Sequence, residues 1–429
     1  MRYKPLSASF YQRNRARLLE RLPKNCAVLI TSNDIMPTNA DGVMPFRQNN
    51  DLFYLTGIDQ EETTLLLAPQ FPDEDLREVL FLKKTNEHIK VWEGQKFTQK
   101  EGGELSGISK VKWSDTFEST LGTVLPHVEE IYVYRNEQDR SDSPVQTRND
   151  KLIQVLKQNY PLHPLRRLAP AVNDLRTCKT TEEIDAIREA CKITGAGFES
   201  VARQMKPGMH EYEIEAIWSY EFLRRGSRGF AYQPIVASGE NSCVLHYVEN
   251  DQVMQDGEVV LMDIGAEYGN YNADLTRVLP TNGRFTDRQK AVYEAVLRVK
   301  NEATKLLVPG GNLKDYQKSV GKLMESELIG LGLITKEEVA KQNEDSPIYR
   351  NYFMHGTSHH LGLDVHDVPS RYQDFKTGMV FTVEPGIYIP EENLGIRLED
   401  DVVITEGTPQ NLMHDIPIEV NDIEALMNA

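Results

Sequence analysis

Two stretches in the second half of the chain repeat one short pattern, and each carries a carboxylate near its end. The first runs Gly257-Glu-Val-Val-Leu-Met-Asp263-Ile-Gly265 and the second Gly378-Met-Val-Phe-Thr-Val-Glu384-Pro-Gly386. Another acid follows each, Asp274 in Asn-Ala-Asp-Leu-Thr and Glu399 in Ile-Arg-Leu-Glu-Asp-Asp. A histidine precedes each at nearly the same offset, His246 and His366. The segment from His355 to His366 holds four of the ten histidines, with His359 and His360 between. A lone histidine is more often a core or surface group than a ligand. Four in so short a run, just upstream of Glu384, point to chemistry. Carboxylates with an imidazole and no thiolate suit hard or borderline divalent ions such as manganese, cobalt, zinc or magnesium. Four carboxylates also balance the charge of two divalent cations. One folded unit used twice, with its acids converging between the copies, would hold two metal ions and hydrolyse a substrate.

The acids need strands to bring them together. Val259 to Met262 is a short apolar run, and Tyr268-Gly269 reads as a tight turn. Folding about that turn places Asp263 opposite Asp274, and cross-strand partners share a face with Cβ atoms ~5 Å apart. The second unit, folded about Glu391-Glu392, places Glu384 opposite Glu399. Helices must back these hairpins. Thr180 with Glu183 is a capping box opening a helix whose Ile184, Ile187, Cys191, Thr194, Phe198 and Val201 share one face. Ile214, Ile217, Trp218 and Phe222 mark a second helix. Thr286 with Gln289 caps a third, carrying Val292, Val296, Val299 and Ala303, and Leu313 to Leu328 follows as a fourth. Helices on one side of a mostly antiparallel sheet leave the other side as a cleft.

The first half reads as a separate α/β domain. Strand-like runs at Cys26–Ile30, Thr64–Leu67, Val79–Leu82 and Ile131–Tyr134 alternate with polar helical stretches, and Pro161 to Pro170 reads as a linker. At 429 residues the chain exceeds one ordinary domain. The expected domains are 1–172 and 173–429. Gly195-Ala-Gly197 lies inside a predicted helix and indicates close helix packing rather than a nucleotide fingerprint. Glu391-Glu392 and Asp400-Asp401 read as solvated acids.

At its motifs the chain resembles the proline-specific metallopeptidases of the pita-bread family, most closely the Xaa-Pro aminopeptidases. The matching residues are Leu-His246-Tyr, Met-Asp263-Ile-Gly, Asn-Ala-Asp274-Leu-Thr-Arg, His355-Gly-Thr-Ser-His359-His-Leu-Gly-Leu-Asp-Val-His366-Asp, Thr-Val-Glu384-Pro-Gly-Ile-Tyr and Ile-Arg397-Leu-Glu399-Asp. Phe46 to Gly57 more loosely resembles that family's N-terminal domain. His360 stands where the family commonly has tryptophan, which bears on pocket shape. The resemblance implies a pseudo-twofold pita-bread domain with a curved, mostly antiparallel sheet covered by helices, preceded by an aminopeptidase P/creatinase-like α/β domain. It implies Asp263, Asp274, His359, Glu384 and Glu399 as ligands of two divalent ions, manganese foremost and cobalt or zinc as alternatives, with a water or hydroxide held between them. It further implies His246, His366 and Glu384 as catalytic residues, and His355, Tyr232, Arg397 and Trp92 as substrate-binding residues. Trp92 would reach a neighbouring subunit's site in a homodimer or homotetramer.

The implied reaction is release of the N-terminal residue from peptides with proline second. Such a bond is a tertiary amide without an N–H, so a specialised site must select the ring by shape. A prolidase restricted to Xaa-Pro dipeptides is the alternative, with Arg397 or Arg371 facing the substrate carboxylate. A non-catalytic pita-bread protein or a creatinase-like enzyme ranks lowest, because such relatives would have lost ligands. A net charge of −17 argues against nucleic acid and anionic membrane as partners. No apolar run approaches the ~18 residues of a spanning helix. The N-terminal residues lack a signal-peptide core. Cys26, Cys178, Cys191 and Cys243 are scattered and read as free thiols, which fits a cytoplasmic protein.

Overall fold

The computed structural model describes residues 1–138, 140–141, 144–343, 346–368 and 372–429. The chain forms two compact units, Lys4–Arg176 and Thr177–Ala429, the latter joined by Met1–Tyr3.

The first unit is built on a six-stranded mixed sheet. Its strands are β1 (Cys26–Thr31), β2 (Thr64–Leu67), β3 (Glu78–Leu82), β4 (Lys110–Trp113), β5 (Glu130–Val133) and β6 (Leu165–Arg167), in the order β4-β3-β2-β1-β5-β6. β1 is apolar along nearly its whole length because it lies in the middle of the sheet and every residue is buried. A core of Leu29, Leu66, Val79, Phe81, Ile131 and Leu156 packs between strands and helices. The expected linker contains β6, which runs parallel to β5. Three residues with two exposed arginines are too short and too polar to read as a strand, yet an edge position tolerates them.

The second unit repeats one arrangement. Helix Thr181–Gln204 and helix Glu211–Arg224 precede β7 (Ile235–Ser238), β8 (Val259–Asp263), β9 (Glu267–Tyr268), β10 (Tyr271–Asn272) and β11 (Thr276–Pro280). Helix Asp287–Lys305 and helix Leu313–Gly330 precede β12 (Val380–Val383), β13 (Gly386–Ile389), β14 (Leu394–Arg397), β15 (Asp400–Val403) and β16 (Gln410–Asn411). Both expected capping boxes form, at Thr180/Glu183 and Thr286/Gln289. Every named strand pairing in this unit is antiparallel. Gly197 allows Trp218 against the first helix: a Cβ there would lie 2.5 Å from the indole. This is the close packing that the glycine pair indicated.

The first hairpin turns one residue later than expected. Gly269 and Asn270 both have positive φ, +59° and +68°, as a type I′ turn requires. Asp263 therefore faces Thr276 rather than Asp274. The slip is two residues, one full side-chain period, so Asp274 keeps the same face as a diagonal neighbour. In the second hairpin Val383 pairs with Asp400 and Gly386 with Arg397, which leaves Glu384 aligned with Glu399 as expected.

Candidate metal centre and its supporting shell

The four acids meet where the hairpins are stitched together. Glu399 N–H donates to the Thr276 carbonyl at 3.1 Å, and the Asp274 N–H donates to Asp401 at 3.1 Å. The histidine segment lies along the free edge of β12: Glu384 N–H donates to Thr357 O at 2.8 Å, and Thr382 N–H to His359 O at 3.0 Å. That edge pairing, invisible in the spacing of the motifs, sets His359 beside Glu384.

Asp274, His359 and Glu399 each offer a ligand atom within 4.8 Å of the others. His359 Nε2 is 3.5 Å from both Asp274 and Glu384. The Tyr232 hydroxyl lies 2.6 Å from Asp263 and 2.5 Å from Asp274, tying the first carboxylate to the cluster. Arg397 is buried, and its guanidinium donates to Asp263 at 2.6 Å, Thr276 at 3.1 Å and Tyr388 at 2.9 Å. Thr276 in turn donates to Glu399 at 2.6 Å. His355 sits beside this network, with Nε2 2.8 Å from the Tyr388 hydroxyl and Nδ1 3.8 Å from Glu384. The His366 ring lies edge-on to His359, centroids 4.4 Å apart. His246 is exposed and close enough to His355 to help depress its pKa.

Burial and mutual repulsion raise the carboxyl pKa values of Asp274 and Glu399 well above the usual range. Burial, opposed in part by His359 and Arg397, raises Glu384 to about 7. Burial and the neighbouring Arg397 lower His355 to about 4, so its ring is neutral near pH 7. A pocket that holds four carboxylates at such cost, with one arginine for balance, is chemically fitted to divalent cations.

The sequence-predicted residues Asp263, Asp274, His359, Glu384, Glu399, Tyr232, Arg397, His355 and His366 thus converge. Trp92 does not belong to the unit that carries them; it lies on helix Glu87–Glu93 of the first unit and is 76% exposed. Arg371 lies outside the described residues. His360 is next to His359 on an extended segment and so points the other way, packing on Phe381 at 4.1 Å. Asp400 and Asp401 correct the expectation of solvated acids: both are buried. Asp400 pairs with Arg277 at 2.6 Å and with Lys300, and Asp401 accepts from Cys191 Sγ at 3.4 Å. Their partners lie far away in sequence, so an acidic doublet alone could not reveal the burial. Thr276 and Tyr388 were not singled out, although Thr276 is two residues from Asp274 and so on its face of the strand.

The M24 metallopeptidase family model matches residues 185–406, and the aminopeptidase P N-terminal domain model matches residues 11–134. The chain belongs to metallopeptidase family M24. Among M24 relatives, the Xaa-Pro aminopeptidase of Escherichia coli is 36% identical over 440 residues, covering 99% of this chain and 98% of that protein. That of Haemophilus influenzae is 33% identical over 430 residues, covering 97% of each. The structure of zinc-substituted E. coli aminopeptidase P in complex with product is similar at TM-score 0.88 and 33% identity, covering 99% of both chains. The helix-backed antiparallel hairpins are the pita-bread fold of this family.

Proposed function

We infer that this M24 member is a metal-dependent aminopeptidase that releases the N-terminal residue from peptides with proline in the second position. The observation that carries the reading is the buried convergence of Asp274, His359 and Glu399, flanked by Asp263 and Glu384, in a chain that aligns end to end with Xaa-Pro aminopeptidases. Asp263, Asp274, His359, Glu384 and Glu399 would hold two divalent ions, with manganese the best match to an oxygen-rich set and cobalt or zinc as alternatives. When bound, the ions supply Lewis acidity, which acidifies water and polarises the scissile carbonyl.

The protein's own groups do the rest. The leaving proline nitrogen needs a proton, and Glu384 would carry one from the attacking water to it. His246 and His366 would donate to the oxygen that gains charge. His355, held neutral, presents its ring to the proline. Tyr232 and Arg397 keep Asp263 and Asp274 in place.

The prolidase reading is weaker. It requires a cation facing the substrate carboxylate; of the two candidates, Arg397 is already committed to Asp263, Thr276 and Tyr388, and Arg371 lies outside the described residues. The non-catalytic and creatinase-like readings expect lost ligands, and all five are present. We further propose a cytoplasmic homo-oligomer, dimer or tetramer, in which Trp92 helps close a neighbour's cleft. Four free cysteines favour a reducing compartment. Among the described residues no helix is long and apolar enough to cross a membrane.

The test is hydrolysis by chelator-treated protein reloaded with manganese, cobalt or zinc, using an Xaa-Pro-Yaa tripeptide and Gly-Pro. Release of the first residue from the tripeptide, dependent on metal, is expected. Cleavage of Gly-Pro alone would establish the prolidase reading, and full activity without detectable metal would refute the site.

A further inference from the structure

Glu211 is a fully buried carboxylate that the proposed reaction does not use. It is the first residue of helix Glu211–Arg224. A charge so placed is costly unless it is thoroughly hydrogen-bonded. Glu211 accepts from five donors. One oxygen takes the Ser238 N–H at 2.7 Å, the Ser238 hydroxyl at 2.7 Å and the Asn241 amide at 3.4 Å. The other takes the Tyr247 hydroxyl at 2.7 Å and the Gln252 N–H at 3.0 Å. Each of these donors lies between Ser238 and Gln252, on the loop that leaves β7 and carries His246.

The same loop is pinned twice more. Asn250, at φ +50°, accepts from Val236 N–H at 2.9 Å and donates to Pro234 O at 3.0 Å. Ser242 Oγ accepts from Gly395 N–H at 2.8 Å, which seats the loop on β14, the strand of Arg397. A Cβ on Gly395 would lie 2.0 Å from the Ser242 carbonyl, so the two backbones touch. Exposed loops ordinarily sample many conformations. This one is drawn around a single buried carboxylate, and the residue next to His246 supplies one of the two hydroxyl donors.

We propose that Glu211 is a positioning residue that, through Tyr247 and the two ends of the loop, fixes His246 against the cleft. The proposal rests on the role assigned to His246 above. It concerns placement, so its signature is a loss of turnover that depends on His246 being present.

The experiment compares the metal-loaded enzyme with Glu211→Gln, Tyr247→Phe, His246→Ala and the two doubles that combine each loop variant with His246→Ala. Turnover and KM on an Xaa-Pro-Yaa tripeptide, bound metal and melting temperature are measured for all. Glu211→Gln is expected to lower kcat about tenfold and Tyr247→Phe about threefold, with metal content unchanged, as loss of charged and neutral hydrogen bonds allows. On the His246→Ala background neither substitution should lower kcat further. If Glu211→Gln does not fold, the Tyr247→Phe cycle decides alone. Undiminished losses on that background, or normal kcat in Tyr247→Phe, would overturn the positioning role while leaving His246 in place. Full turnover in His246→Ala would overturn both.

Discussion

Tyr232 has one proton and two carboxylates within hydrogen-bond reach of it. Burial first, and then repulsion from Asp263, raise the Asp274 pKa, and the Tyr232 hydrogen bond works against that rise. The same reasoning predicts a pH dependence of stability. Glu384 rises from 4.5 to about 7 on folding, so the native state binds the extra proton between those values. A raised folded pKa contributes stability below the unfolded value and loses it as pH rises through the folded one. Asp274 and Glu399 shift the same way. His355, lowered to about 4, and His360, lowered to about 3, act the other way up to the unfolded value of 6.5, so melting of chelated protein should fall from pH 6.5 to 8, and Glu384→Gln should flatten that slope. A melting temperature that rises over this range would contradict the assignment. His246→Ala and His366→Ala should keep metal and lose ~10²–10³ in turnover, the usual worth of a transition-state hydrogen bond. Near-normal rates in either would return that histidine to a structural role.

At the scale of elements, the repeated glycines have distinct reasons. Gly257 and Gly378 open the two repeats at φ +84° and +87°, the left-handed region that side chains avoid. Gly378→Ala should cost about 1–2 kcal/mol for that reason. Gly265 is different: its missing Cβ leaves room for the Ala273 carbonyl, which would lie 1.7 Å away. Gly265→Ala forces apart the backbone between Asp263 and Asp274. It should destabilise by about 3 kcal/mol or more and weaken metal binding, read by denaturation and elemental analysis. Arg277, buried between the hairpins, donates to the Glu399 carbonyl and to Asp400, each at 2.6 Å. Arg277→Met should cost about 3–5 kcal/mol, since it leaves Asp400 short of its partner. Retained stability in that variant would mean Lys300 suffices.

For the whole molecule, the division of labour between units frames the assembly proposal. The first unit buries Phe53 and Tyr54 in its own core, against Tyr11 and Phe10, so neither is available at an interface. Trp92 stays exposed on its short helix, and exposed aromatics are enriched at interfaces. Trp92→Ala should leave melting unchanged and raise KM for longer peptides more than for dipeptides. A monomer by light scattering, with unaltered length preference in the variant, would refute the shared cleft.

Much of this protein is written in local pattern. The capped helices, the apolar strands and the twice-used Gly–acid–Gly frame follow from periodicity, capping chemistry and backbone sterics, which act over a few residues. Glu384 opposite Glu399 was legible for the same reason, because a hairpin's register depends on its own turn. The first hairpin's register lies two residues from the expected one because the left-handed pair is Gly269–Asn270 and neighbouring residues compete for that role. The rest needed partners distant in sequence. The burial of Asp400 and Asp401 depends on Arg277, Lys300 and Cys191. His359 reaches Asp274 only because its segment pairs along β12. Glu211 gathers a loop that begins 27 residues further on. Hydrogen bonds and ion pairs of that span are satisfied only once the chain has folded, so the tertiary structure alone decided them.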